Sequence, residues 1–182
     1  MKVRQQGFTM VELIVVIIIL GILAAVALPR LTNMQRDARV AKLNAARGAV
    51  ASASALVHGA AMARHNLVQP NCGVAGFGPQ PPNVAATGTG SICTESGNVE
   101  VTLLYPGATL PGVIASAGIV QVSGIPTAAQ LAIENYATAV VGAGIQLQVT
   151  GGPTPANCAF TYTAPTALGR APTIGAAVTT GC

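Results

Sequence analysis

The chain has 182 residues, a formal net charge of +4, 51% hydrophobic residues and only 8% charged ones, a length that suits one modest domain plus an extended segment. Charged residues are far scarcer than in an ordinary soluble domain, and most of the hydrophobic surplus sits in the first thirty positions. Beyond Asn66 a single base, Arg170, faces Glu95, Glu100 and Glu134, which excludes the nucleic-acid groove that clustered Lys and Arg interleaved with rings would build.

Residues 1–7 are short, polar and basic, and from Phe8 to Leu28 only Glu12 can ionise. A helix over that stretch is about 31 Å long, enough to cross a hydrocarbon core. The β-branched run Val15–Ile19 favours a strand locally, but lipid requires the backbone to satisfy its own hydrogen bonds, which selects the helix. Gly21 and Pro29 are the points where that helix is expected to loosen or bend. A secretory signal peptide is the competing reading, because Ala25-Val26-Ala27 resembles a small-x-small cleavage site. The apolar core is long for such a signal, and it leaves Glu12 unexplained. An ionisable group at membrane depth costs about 3 kcal/mol and is by default a functional residue.

The run Gly7-Phe8-Thr9-Met10-Val11-Glu12-Leu13, followed by the apolar block and Pro29, resembles the class III signal of type IV prepilins. The resemblance implies that a prepilin peptidase cuts between Gly7 and Phe8 and methylates the new amino group of Phe8, giving N-methylphenylalanine. It further implies that Phe8 and Glu12 of neighbouring subunits pair during assembly, and that the apolar segment stays attached as an inner-membrane anchor with the head in the periplasm. Lys2 and Arg4 satisfy the positive-inside rule only weakly, and Arg30, Arg36, Arg39, Lys42 and Arg47 follow the span on the far side.

From Leu31 to about His65 the chain is rich in alanine and free of proline, which predicts a continuing helix. Leu31, Met34, Ala38, Ala41, Ala45, Ala49, Ser52 and Leu56 recur every three or four residues and are expected to pack on the head. Arg36, Arg39, Lys42 and Arg47 fall on a broad opposite arc, expected to be solvated or to face lipid phosphates. The stretch Asn33-Met34-Gln35-Arg36-Asp37-Ala38-Arg39 is similar to that of the mannose-sensitive haemagglutinin (MSHA) branch of type IV pilins. That likeness covers roughly residues 7–60, with a looser match at Cys158–Thr163 and Gly181-Cys182.

After Pro70 the composition turns to Gly, Pro, Thr and Ser with short alternating runs, predicting a β head with long loops. Expected strands are Asn98–Leu104, Ile145–Thr150, Cys158–Thr163 and Thr173–Thr179, with a short helix at Thr127–Ala137 and mostly loop over 73–97. Cys72, Cys93, Cys158 and Cys182 form no C-x-x-C pair and lack histidines at zinc spacing. An even count behind a membrane-targeting segment implies disulfides. Chain order favours Cys72–Cys93 and Cys158–Cys182, one of three possible connectivities.

No nucleophile elbow, phosphate-cradling loop or histidine–carboxylate pair is present, so neither an enzyme nor a metal or cofactor site is expected. The expected architecture is therefore α+β. Residues 1–7 form a leader, 8–65 a helix with a transmembrane segment at about 8–28, and 66–182 a β head. The resemblance implies a structural subunit of a pilus, whose partners are identical pilin subunits, the peptidase and the assembly machinery of the inner membrane. It would end in an extracellular filament serving attachment. A type II secretion pseudopilin and a secreted binding protein cleaved after Ala27 are the alternatives.

Overall fold

The computed structural model describes residues 8–64, 88–94, 97–122 and 124–182, without the side chains of 29–33. Gly7, His65 and Cys72 therefore lie outside the described residues. The chain is α+β and divides into two compact units, Met1–Ala38 and Arg39–Cys182.

Helix α1 runs from Met10 to Ala63. Thr9 opens it: its hydroxyl accepts the Glu12 N–H at 3.2 Å, and its carbonyl accepts from Leu13 N at 3.2 Å. A threonine in this position satisfies one of the amide donors that every helix start leaves orphaned. Within the first unit, Met10–Leu28 is long and apolar enough to cross a membrane, and its side chains are exposed throughout. The helix is unbroken at Gly21 and Pro29.

In the second unit α1 carries two hydrophobic clusters in succession. Leu43, Ala46 and Val50 pack with Leu131, Leu147, Phe160 and Tyr162, and Val57 and Ala61 pack with Ile92, Val99 and Val101. This corrects the sequence expectation about which face turns inward. The buried stripe is Leu43, Ala46, Val50, Ala53, Val57 and Ala61, whereas Ala41, Ala45, Ser52 and Leu56 are exposed. At about 100° per residue, an alanine-rich helix offers several stripes of equal quality. Burial is decided by the large residues Leu43, Val50 and Val57, because they bring the most apolar area out of water.

The head holds two antiparallel sheets. Strands β1 (Thr89–Thr94), β2 (Gly97–Thr102) and β3 (Tyr105–Pro106) form the first, and β4 (Tyr136–Val141), β5 (Gly144–Val149), β6 (Ala159–Thr163) and β7 (Thr173–Ile174) the second. On β2 and β5 the inward positions are apolar, Val99 and Val101 on one and Ile145, Leu147 and Val149 on the other. That alternation is what a sheet covered on one face by a helix requires.

Several elements differ from expectation for local reasons. The expected strand Asn98–Leu104 stops at Thr102, because Leu103 and Leu104 take φ of 51° and 70° and turn the chain back into β3. Such left-handed residues cost about 1 kcal/mol each, and here the turn is gripped from α1: His58 Nδ1 lies 3.0 Å from Leu104 O, and its ring stacks on Tyr105 at 3.8 Å. Helix α2 covers only Ala128–Ile133, with a Thr127–Gln130 capping box at its start, and ends where Asn135 turns left-handed at φ 54°. Tyr136 and Ala137, expected in that helix, begin β4 instead. Strand β1 falls in a stretch expected to be mostly loop, since only Ile92 of its side chains is fully buried. Strand β7 is shorter than expected: Ile174 pairs with Tyr162 and Val178 with Ala159, so the outer strand carries one extra residue, a bulge that interrupts the ladder.

Cys158 and Cys182 are bonded, closing the last stretch of chain onto β6. Gly181 fits between Thr154 and Asn157 so tightly that a Cβ there would collide with backbone. Cys93 is also disulfide-bonded, and its expected partner, Cys72, lies outside the described residues.

Tyr162 joins the two halves of the head through a hydroxyl that donates to Pro106 O at 2.8 Å. Burial, more than the nearby Tyr105, pushes its pKa from 10.0 up to about 12, against a lowering contribution from the Ser54 hydroxyl. A phenol whose folded pKa is raised contributes stability that is intact below pH 10 and is lost as pH climbs from about 10 to about 12. Urea midpoints of the detergent-solubilised protein should fall across that window. Tyr162→Phe should cost about 1 kcal/mol at neutral pH and flatten the alkaline fall; an unchanged slope would rule out this hydroxyl as its source.

Candidate functional site

Two features of the molecule carry chemistry, and each belongs to one unit. The first is the start of α1. Phe8 and Glu12 are exposed, and Glu12 occupies the third helical position, one turn above Thr9. A carboxylate in the first turn lies at the positive end of the helix dipole, beside the amide donors that a helix start leaves without partners. Gly7, the other half of the expected cleavage junction, lies outside the described residues.

The second feature is the division of α1 into two faces between Arg39 and Ala63. Every base described in that stretch, and Arg64 just beyond it, reaches a head carbonyl. Arg39 Nε donates to Cys182 O at 2.5 Å, Lys42 Nζ to Glu134 O, Arg47 Nε to Gly175 O at 2.8 Å, and Arg64 Nη1 to Cys93 O at 2.5 Å. Lys42 also sits 4.3 Å above the Tyr136 ring. Burial, reinforced by the Glu134 carboxylate, raises the pKa of that phenol, which keeps the ring neutral.

Arg36 and Arg47 are exposed, as a solvated arc requires, but the bases do not lie opposite the buried stripe: Arg39 continues it at its start, and Lys42 and Arg47 lie on its two sides. The reason is geometric. An arginine or lysine stem is long enough to lie along the edge of an apolar contact and deliver its charge to a carbonyl beyond it. Charge alone did not signal this; the phase of Leu43, Val50 and Val57 relative to Arg39 and Arg47 would have.

The opposite face is left without charge. Ala41, Asn44, Ala45, Gly48, Ser52, Ala55, Leu56, Gly59 and Met62 are exposed, and none is ionisable. A cavity of about 300 Å³ lies along its border, lined by Ala53, Leu56, Val57, Ala60, Arg64 and Ser116. Its single base is already directed at Cys93 O, so it offers a pocket for apolar contact and no acid–base pair.

A family model described as the prokaryotic N-terminal methylation motif matches residues 2–28. Over 53 residues, or 29% of its length, the chain is 45% identical to the type IV narrow pilus major component PilA5 of Thermus thermophilus, covering 46% of that protein. It is 40% identical over 53 residues to the type IV major fimbrial protein FimA of Dichelobacter nodosus, covering 34% of it. The chain thus matches less than half the length of these relatives. No solved structure matches it significantly. These similarities support a type IV pilin precursor.

The two faces of α1 should respond oppositely to truncation. Leu43 is fully buried and Leu56 is 74% exposed. Leu43→Ala should destabilise the protein by about 2–5 kcal/mol, and Leu56→Ala by no more than about 0.5 kcal/mol. Urea unfolding in detergent reads both; a comparable loss at Leu56 would invalidate the assignment of faces.

Proposed function

We propose that this chain is the precursor of a structural subunit of a type IV pilus of the mannose-sensitive haemagglutinin type. In this reading residues 1–7 are a leader, 8–65 the helix that anchors and polymerises, and 66–182 the displayed head. A prepilin peptidase cuts between Gly7 and Phe8 and methylates Phe8. The subunit then waits in the inner membrane with its head in the periplasm, and the assembly machinery adds it to a surface filament that serves attachment.

The observation that carries this reading is Glu12, the one ionisable side chain between Phe8 and Leu28, set in the first turn of a membrane-length helix. Cleavage creates an ammonium at Phe8 that the precursor lacks. That group on one subunit and Glu12 on the next, about 4 Å apart, attract by about 4 kcal/mol at an effective dielectric near 20, before desolvation is subtracted. A carboxylate penalised in lipid gains its counterion only on assembly. The uncharged outer face of α1 supports the same reading: small side chains let neighbouring helices approach closely, and no buried charge would have to be neutralised between them.

Mass spectrometry of the mature protein tests the processing step: the reading requires methylated Phe8 as first residue, and a start at Leu28 would replace it with a secreted protein. Glu12→Ala should leave the subunit in the membrane and sharply reduce surface filaments seen by electron microscopy. Wild-type filament numbers in that variant would exclude the pairing. Loss of protein secretion without any surface filament containing the labelled subunit would point to a type II secretion pseudopilin.

A further inference from the structure

Most of the charged side chains described in the second unit are engaged within it. Arg39, Lys42, Arg47 and Arg64 donate to carbonyls, and Glu100 Oε2 accepts from Thr109 Oγ1 at 2.9 Å. Two side chains remain. Among the described residues of this unit, neither the Glu134 carboxylate nor the Arg170 guanidinium has a hydrogen-bond or ion-pair partner. Lys42, the base nearest Glu134 in its contacts, is committed to the Glu134 carbonyl and the Tyr136 ring.

Each of the two is presented in a similar way. Glu134 caps the C-terminal end of α2 next to Ile133, which is 76% exposed. Arg170 lies in the turn between β6 and β7, two residues from Leu168, which is 51% exposed. That turn is stiffened by Pro165 and Pro172 on either side, by Gly169 at φ 74°, and by the Arg170 N–H donating to Ala167 O at 3.3 Å. Asn135 at φ 54°, held through its carbonyl by Thr150 N at 2.9 Å, fixes the other site. The head thus offers one acid with an exposed aliphatic neighbour and one base with another, each on a short rigid segment.

From this charge complementarity we infer that Glu134 of one copy pairs with Arg170 of the next, with Ile133 and Leu168 packing beside the pair, as a head-to-head contact between successive subunits. The inference rests on the polymeric subunit proposed above and names the head surfaces that meet. In the polymeric reading each copy uses Glu134 toward one neighbour and Arg170 toward the other, a heterologous contact that can repeat along an open filament. An exposed charge pair adds little affinity on its own but steers the approach and disfavours wrong registers. Repeated at every step, such a pair fixes how one head is placed against the next while the helices supply the cohesion.

The test uses the full chain expressed in a piliated strain lacking its own copy. Glu134→Arg and Arg170→Glu should each lower filament yield by about five-fold, and the double reversal should restore it. Subunit level and the oxidised state of Cys158–Cys182 serve as folding controls. In a second measurement Glu134→Cys and Arg170→Cys subunits are co-expressed and the sheared filaments are treated with a short bismaleimide. A covalent dimer should form in the mixture and in neither single-variant filament. Wild-type filaments with unaffected reversals and no mixed dimer would overturn the inference and leave the subunit reading intact. Failure of the wild-type chain to enter any filament would overturn both.

Discussion

Everything in the second unit depends on how α1 distributes charge around its circumference. The helix must bury one side in the head, yet it carries bases that cannot themselves be buried. They surround the buried stripe, Arg39 and Arg64 at its two ends and Lys42 and Arg47 on its two sides, and their charged ends reach the carbonyls of Glu134, Cys182, Gly175 and Cys93. These four carbonyls come from α2's end, the last residue, the β7 region and β1, so one helix gathers segments far apart in sequence. The same placement clears the outer side. A helix whose cations pointed outward would resist close approach by another copy of itself.

The interior of the head is light in aromatic rings and accordingly relies on connections. Val, Leu and Ile fill most of the core, with Tyr136, Phe160 and Tyr162 as its large rings. Each such side chain contributes about 1.5–3 kcal/mol when fully buried, so the loops that lack such residues need other restraints. The Cys158–Cys182 bond closes the final stretch, the Tyr162 hydroxyl holds the β3 strand, and His58 covers the strained Leu103-Leu104 turn. Each restraint joins an element of one sheet, or the helix, to a segment that packing alone holds weakly.

How far the sequence disclosed this varies with the kind of signal. The membrane-length helix and the motif around Phe8 and Glu12 were legible because they rest on composition and on residues close together in the chain. Strands β2, β5 and β6 were legible through their alternation, to within the usual end effects. The inward face of α1 was not, because alanine at nearly every position makes several phases equivalent until the head supplies a surface to choose among them. Strand β4 was hidden for a different reason: Tyr136 and Ala137 continue the α2 pattern without a break, and the left-handed turn at Asn135 is a conformation that asparagine tolerates without demanding. Strand β1 had too little apolar character to be seen, and it exists because β2 pairs with it residue for residue from Thr89 to Thr94.

The corrected phase of α1 also changes what the stripe of small residues means. Read as the packing surface of the head, Ala41, Ala45, Ser52 and Leu56 would have explained nothing beyond the fold. Exposed, they form a surface that the isolated subunit has no structural reason to keep free of charge. A solvated helix face ordinarily collects Lys and Glu, whose pairing at four-residue spacing stabilises it, and this chain places none there. The absence is costly to solubility and gains nothing in an isolated subunit. Under the polymeric role proposed above it is accounted for, because that face is then solvated only until a neighbouring subunit covers it.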